Sequence, residues 1–204
     1  MAFTIPLTAK LSGATRGQLS YWRRTGVLAP EARSTGRPLL YSMRDITALR
    51  TFARLREKAS SLQQIRKALS RLQEWDMFDH PSKYTLVAED GSIRLYESPD
   101  YAVDLVKEPG QVVSVTLEDV FSEFTNIAGE RVVDLRRPAE HLRIEPQRLG
   151  GWPTIAGTRI PFDSVADLIW NGDVSPADVD YYYPGVTAEA AIDALEFAKF
   201  LTAA

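Results

Sequence analysis

At three places in its first 65 residues the chain sets a Ser or Thr three positions ahead of a Gln or Asp, as in Thr15-x-x-Gln18, Ser42-x-x-Asp45 and Ser61-x-x-Gln64. Each is the pattern of a reciprocal N-cap, in which the hydroxyl accepts from a backbone amide inside the helix and the second side chain reaches back to the cap. Three helix starts at this spacing leave room only for short helices and tight links. Gly13 and Gly26 bracket the first of them, and glycine is the residue that ends helices in left-handed geometry. The helix from Thr15 to Gly26 has an apolar edge at Leu19 and Trp22, while Arg16, Ser20, Tyr21, Arg23 and Arg24 project from the other faces. Such a surface of donors suits a polyanion with readable edges, such as duplex DNA.

The neighbouring residues extend this reading. Leu7 and Leu11 point to a short helix that Gly13 closes, which gives helix-turn-helix spacing. Arg33-Ser-Thr-Gly-Arg37-Pro38 reads as the basic tip of a wing, with Leu39-Leu40-Tyr41 as its exit. Ile46, Leu49, Phe52, Ala53 and Leu55, and then Ile65, Leu69 and Leu72, form the apolar stripes of two further helices and are read as core.

Charge divides the chain in two. Residues 1–75 carry 14 Lys+Arg against 4 Asp+Glu, net +10, whereas the remainder carries 10 against 23, net −13. Only the front part has a field that attracts phosphates, so two modules with different partners are expected. The sequence contains no cysteine, which excludes disulfides, thiolate metal ligands and thiol nucleophiles. No apolar run has the length of about 18 residues that a bilayer-spanning helix needs, and no secretory leader is read at the N-terminus; a cytoplasmic location without membrane attachment is expected.

Between residues 76 and 147 the pattern turns to strands. Lys83–Ala88 and Ser92–Tyr96 flank Asp90-Gly91, a hairpin signal. Val112–Val115 reads as a strand, Thr116-x-x-Asp119 as the cap of a short helix through about Phe124, and Val132–Leu135 and Leu142–Glu145 as extended. Asp76, Asp79 and His80 do not have metal-site spacing, so no metal is expected. No nucleophile, base and orienting group assemble around His80 or His141, so no catalytic residues, cofactor or enzyme activity are expected. From about Leu149 a turn-rich run to Pro161 precedes three helices, started near Asp163, at Ser175-Pro176 and at Thr187.

The order of motifs at the front resembles the MerR-type winged helix-turn-helix family. Ala9-Lys10-Leu11-Ser12-Gly13, Gln18-Leu19-Ser20-Tyr21-Trp22, Gly26-Val27-Leu28, Arg37-Pro38-Leu39-Leu40-Tyr41-Ser42 and Ser61-Leu62-x-x-Ile65 match it from Thr4 to about Leu72. The resemblance implies that the second helix enters the major groove and that the wing grips the flanking backbone. It makes Arg16, Gln18 and Ser20 the residues at or near base edges and Tyr21 a phosphate contact. Arg33 and Arg37 become wing contacts to phosphate or minor groove, with Tyr41 at the wing exit. Ser20 stands where the family has arginine, and Arg23 and Arg24 are positioned to compensate. The family continues into a long dimerising helix, but here Trp75–Pro81 breaks the helix, so the usual two-fold seam is missing.

The rear resembles a small antitoxin-associated family, through Gly151-Trp-Pro153-Thr-Ile155-Ala-Gly157-Thr158-Arg159-Ile160-Pro161, Ser175-Pro176-Ala177-Asp178 and Tyr183-Pro184-Gly185-Val186-Thr187. The two modules in this order look like a VapB-type antitoxin, whose partner is a PIN-like ribonuclease toxin. Such nucleases hold Mg²⁺ with carboxylates, so an arginine presented to that cluster would pair with it; Arg136, Arg137, Arg143 and Arg159 are the candidates. Residues 155–204 carry 2 Lys+Arg against 8 Asp+Glu, which suits self-association or toxin docking rather than DNA.

The expected fold is therefore α+β and mainly α: a winged helix-turn-helix domain over 1–75, a small antiparallel β segment over 76–147, and a three-helix domain over 148–204. The expected function is a homodimeric antitoxin that binds its operator DNA and a PIN-like toxin. The alternative is a MerR-like transcription regulator whose rear half binds a small molecule or only dimerises.

Overall fold

Four short helices open the chain; the first has a proline in its first turn, and the second, third and fourth each begin where a local hydroxyl satisfies an amide of the first turn. The computed structural model describes residues 2–57, 61–74, 85–89, 92–98, 101–106 and 121–202. Helices α1 (Ile5–Ser12), α2 (Arg16–Arg24), α3 (Met43–Glu57) and α4 (Leu62–Glu74) are followed by strands β1 (Thr85–Glu89), β2 (Ser92–Ser98), β3 (Tyr101–Asp104), β4 (Phe124–Thr125), β5 (Arg131–Val132), β6 (Leu142–Arg143) and β7 (Thr154–Ile155), and by helices α5 (Phe162–Ile169), α6 (Val179–Tyr182) and α7 (Ala188–Thr202). The fold is α+β and mainly helical, and it divides into two compact units, Ala2–Val132 and Val133–Ala204.

In the first unit all three reciprocal caps form. Gln18 N donates to Thr15 Oγ1 and Thr15 N to Gln18 Oε1; Ser42 and Asp45, and Ser61 and Gln64, exchange the same pair of bonds. These caps satisfy amides that a helix start leaves open, so the helix boundaries are set locally. Trp22 meets Phe52 edge-on at 5.8 Å between centroids, and Ile46, Leu49, Leu55 and Ile65 close the core around them. Strands β1, β2 and β3 form an antiparallel sheet in that order, with β1 packed on α3 and β2 on α4.

Several elements depart from the sequence reading. Tyr101–Asp104 supplies the third strand, while Val112–Val115 lies outside the described residues, as do Asp76, Asp79, His80 and the Asp90-Gly91 turn. The helix expected to run through about Phe124 does not reach it: Phe124–Thr125 pairs with Arg131–Val132 as a two-residue ladder. Ten residues separate the end of α4 at Glu74 from the start of β1 at Thr85. The middle stretch is also shared out, its β1 to β5 going with the helix-turn-helix unit and its β6 with the rear unit.

The rear unit is built on the ladder of β6 with β7 and on α5 packed along α7. Phe162 lies between Trp152, stacked at 6.3 Å, and Phe197, edge-on at 5.0 Å, and Val165, Ile169, Ala191 and Ala194 complete the core. Helix α5 starts one residue before Asp163, with Pro161 at its cap; Asp163 instead accepts from the Trp152 indole at 3.2 Å.

Candidate nucleic-acid interface

The turn between α1 and α2 sets the site. Gly13 is left-handed, with φ of 76°, and its N–H donates to Ala9 O. Two residues later Thr15 caps α2. Leu19 and Trp22 bury the inner edge of α2, and Gly26, with φ of 71°, ends it. Arg16, Ser20, Tyr21, Arg23 and Arg24 are left exposed.

The wing forms beside this face. Arg33 and Leu40 exchange backbone hydrogen bonds at 2.9 and 3.2 Å, and Phe3 and Tyr41 do the same at 2.8 and 2.9 Å, so the wing base is stitched to the chain start. A groove of about 660 Å³ lies between α2 and the wing, lined by Arg16, Ser20 and Arg23 on one side and Arg37 on the other. Tyr41 lines it too, but at 2% exposure it is a floor rather than a protruding donor. Burial raises its phenol above the ordinary value, the Asp45 carboxylate adds to this and Arg23 opposes it, so the hydroxyl is uncharged at neutral pH. Arg33 is exposed at the wing base.

On the opposite flank of α2 lies a recess of about 360 Å³ lined by Thr15, Gly17, Gln18, Tyr21 and Arg56. The Oε1 atom of Gln18 accepts the Thr15 amide in the capping box, so its role toward a base edge is restricted to the amide nitrogen. Arg24 and Arg66 carry their guanidinium carbons 5.7 and 5.4 Å from the Tyr21 ring centroid. Arg56 and Arg66 are absent from the sequence reading because α3 and α4 show an apolar stripe first. The density of arginines on their polar faces is the signal that would have found them.

In the rear unit the four arginines named as partner contacts have different local settings. Arg136 and Arg137 follow a turn in which both their amides donate to Asp134 Oδ1 at 2.8 Å. The Arg143 guanidinium donates to Glu140 O and Leu142 O, while Arg159 is exposed. His141 pairs through Nδ1 with Asp193 Oδ2 at 2.9 Å. Sequence reasoning missed the exposed aromatics here: Tyr181 at 86%, Tyr182 at 53% and Trp170 at 43%. Tyr181 and Tyr182 read as helix residues, and only their packing shows that they face outward. Among the described residues no three His, Asp or Glu side chains are placed to hold a metal, and no helix is long and apolar enough to cross a membrane.

Two family models match separate stretches of the chain. Residues 3–72 match the MerR HTH family regulatory protein model and residues 142–198 match a family of unknown function, DUF433. Over 128 residues the chain is 29% identical to uncharacterized HTH-type transcriptional regulators of Mycobacterium tuberculosis, Rv1830 and MT1879, and of Mycobacterium bovis, Mb1861. That match covers 61% of this chain and 56% of each relative, so the chain spans little more than half of their length. The crystal structure of Rv2018 from Mycobacterium tuberculosis shares the fold, with a TM-score of 0.53 and 16% identity over 95% of this chain and 96% of that one.

Proposed function

We propose, from the MerR-family helix-turn-helix domain at residues 3–72 and the DUF433 region at residues 142–198, that this chain is a transcriptional regulator that binds operator DNA. The observation that carries this reading is the groove that Arg16, Ser20 and Arg23 share with Arg37. With α2 in the major groove, a sugar–phosphate strand passes between helix and wing, because that strand separates the major groove from the minor groove. Arg16 then addresses base edges, where a bidentate arginine–guanine pair contributes about 1–3 kcal/mol of discrimination. Arg23, Arg37 and Arg33 neutralise phosphates, which positions the protein without reading sequence. A mobility-shift titration against the chain's own upstream region, repeated as salt rises, tests this. Affinity should fall linearly on a log–log plot; binding insensitive to salt would overturn the reading.

The finer reading is an antitoxin, with the rear unit docking a PIN-like toxin and the protein acting as a homodimer on DNA. It is supported by the exposed aromatics Tyr181, Tyr182 and Trp170, the kind of side chain that anchors protein interfaces, and by exposed arginines at Arg136, Arg137 and Arg159. Arg143, tied to two carbonyls, takes a supporting place in this scheme. Co-expression with the product of the adjacent reading frame decides the matter. A stoichiometric complex supports the antitoxin; its absence overturns that role and leaves a regulator with a small-molecule or purely dimerising rear half.

A further inference from the structure

The link between α1 and α2 raises an accounting question, since every polar backbone group withdrawn from water needs a partner. Its amides are satisfied locally: Gly13 N by Ala9 O, Ala14 N by Ser12 Oγ, and Thr15 N by Gln18 Oε1. Its carbonyls are not. Leu11 O accepts from Arg50 Nη1 at 2.6 Å, a bond from 39 residues away, and Gly13 O accepts from Asn126 Nδ2 at 3.0 Å, a bond from 113 residues away.

Both partners lead to the hairpin of β4 and β5. Asn126 is buried and uses all its capacity: Oδ1 accepts from Ala128 N and Glu130 N to shape the hairpin turn, while Nδ2 donates to Glu130 Oε2 and to Gly13 O. Arg50, fully buried, spends its other terminal nitrogen on Phe121 O and Ser122 O at the hairpin entry. Arg54 holds Ser122 Oγ at 2.7 Å. The guanidinium carbons of Arg50 and Arg54 lie 5.1 and 4.2 Å from the Phe124 ring centroid, and that ring lies on Gly13, where an added Cβ would stand 2.8 Å from Phe124 Cζ and from Val132 Cγ2.

We propose that the 121–132 hairpin is the positioning element of the recognition helix: Asn126 and Phe124 grip the turn at Gly13 and so fix the angle at which α2 meets the major groove. The proposal rests on the DNA-binding reading for its consequence, but its structural half stands on the free protein. A mis-angled α2 keeps its arginines and its attraction for phosphates, yet loses the alignment that base-edge bonds demand. Specific binding should therefore suffer while non-specific binding does not.

Two variants test this. Asn126→Asp keeps the oxygen that shapes the hairpin turn and removes the Nδ2 donor to Gly13 O and to Glu130 Oε2. Phe124→Leu keeps apolar volume and removes the face on which Arg50 and Arg54 stack. In each, amide exchange at residues 13–18 of the free, folded protein should accelerate. Operator affinity should fall about tenfold, with affinity for an unrelated duplex of equal length unchanged. A purely structural role would lower the melting temperature and leave the ratio of specific to non-specific affinity where it was; that result, or unchanged exchange at residues 13–18, overturns the proposal. Should the wild-type protein itself fail to prefer its operator, the DNA-binding reading falls, and the exchange measurement still decides whether the hairpin holds the turn.

Discussion

Arg66 of α4 donates from Nη2 to the Tyr21 hydroxyl of α2 at 3.3 Å, and its guanidinium carbon lies 5.4 Å from the centroid of the same ring. Residues 45 positions apart thus present a hydroxyl and a cation together on one flank of α2. Since the Tyr21 oxygen accepts from Arg66, its own proton can serve another acceptor, such as a phosphate.

That pair gives a first prediction. Arg66→Ala should weaken DNA binding across sequences and reduce the salt slope by about 1, as loss of one phosphate contact does. Tyr21→Phe, which keeps the ring and loses the hydroxyl, should weaken binding with a smaller change in slope. Unchanged salt slopes in quantitative gel shifts would make Arg66 a packing partner of Tyr21 and nothing more.

The two sides of the wing groove should behave differently. Arg16→Ala should cost about 1–3 kcal/mol on the preferred site and relax the choice of base at one position, whereas Arg37→Ala should weaken all duplexes alike. Both side chains are exposed, so thermal unfolding should stay within about 0.5 kcal/mol of wild type. Neutral behaviour of both variants toward the operator would mean that the groove is not the DNA site.

Gly13→Ala should be severe for so small a change. A left-handed backbone costs an L residue about 1–2 kcal/mol, and the new Cβ would overlap Phe124 and Val132, which adds about 1–3 kcal/mol of overpacking. A shift in the urea midpoint equivalent to about 2–5 kcal/mol is expected. Loss below about 1 kcal/mol would show that the hairpin gives way without cost.

The buried phenol of Tyr41 makes stability depend on alkaline pH. Its proton is held above the ordinary range chiefly by burial and then by Asp45. Its contribution is therefore whole below the unfolded value of about 10 and is lost as pH rises through the folded titration, because the unfolded chain releases the proton first. Tyr41→Phe should flatten this part of the curve, so that wild type and variant, compared by urea unfolding at pH 8 and then at increasing pH, diverge in slope above about pH 10. Parallel curves would assign the alkaline loss to other groups.

The caps at Thr15, Ser42 and Ser61, the wing arginines and the inner edge of Leu19 and Trp22 were legible in the sequence because each depends on residues within four positions of one another. The same locality misled at Phe124, where a plausible cap at Thr116 pointed to a helix; the ring belongs to a strand because Gly13 and two arginines from α3 offer it a surface. Charge made the front half a candidate for DNA, yet Arg56 and Arg66 could not be told from solvated faces, since their place beside α2 depends on how α3 and α4 pack. Tyr41 read as a wing contact, and packing against the chain start turned it into the groove floor.

The sequence by itself determined where the front helices begin, which of their edges turn inward and which half of the chain attracts phosphate, all consequences of hydrogen bonds and periodicities that span a few residues. Only the tertiary structure decided that Asn126 completes a turn 113 residues away and that Arg50 satisfies both that turn and the hairpin entry. Those bonds join chain segments whose pairing no local pattern encodes: a carbonyl left open at Leu11 or Gly13 states that a donor is needed, and folding alone selects which donor arrives.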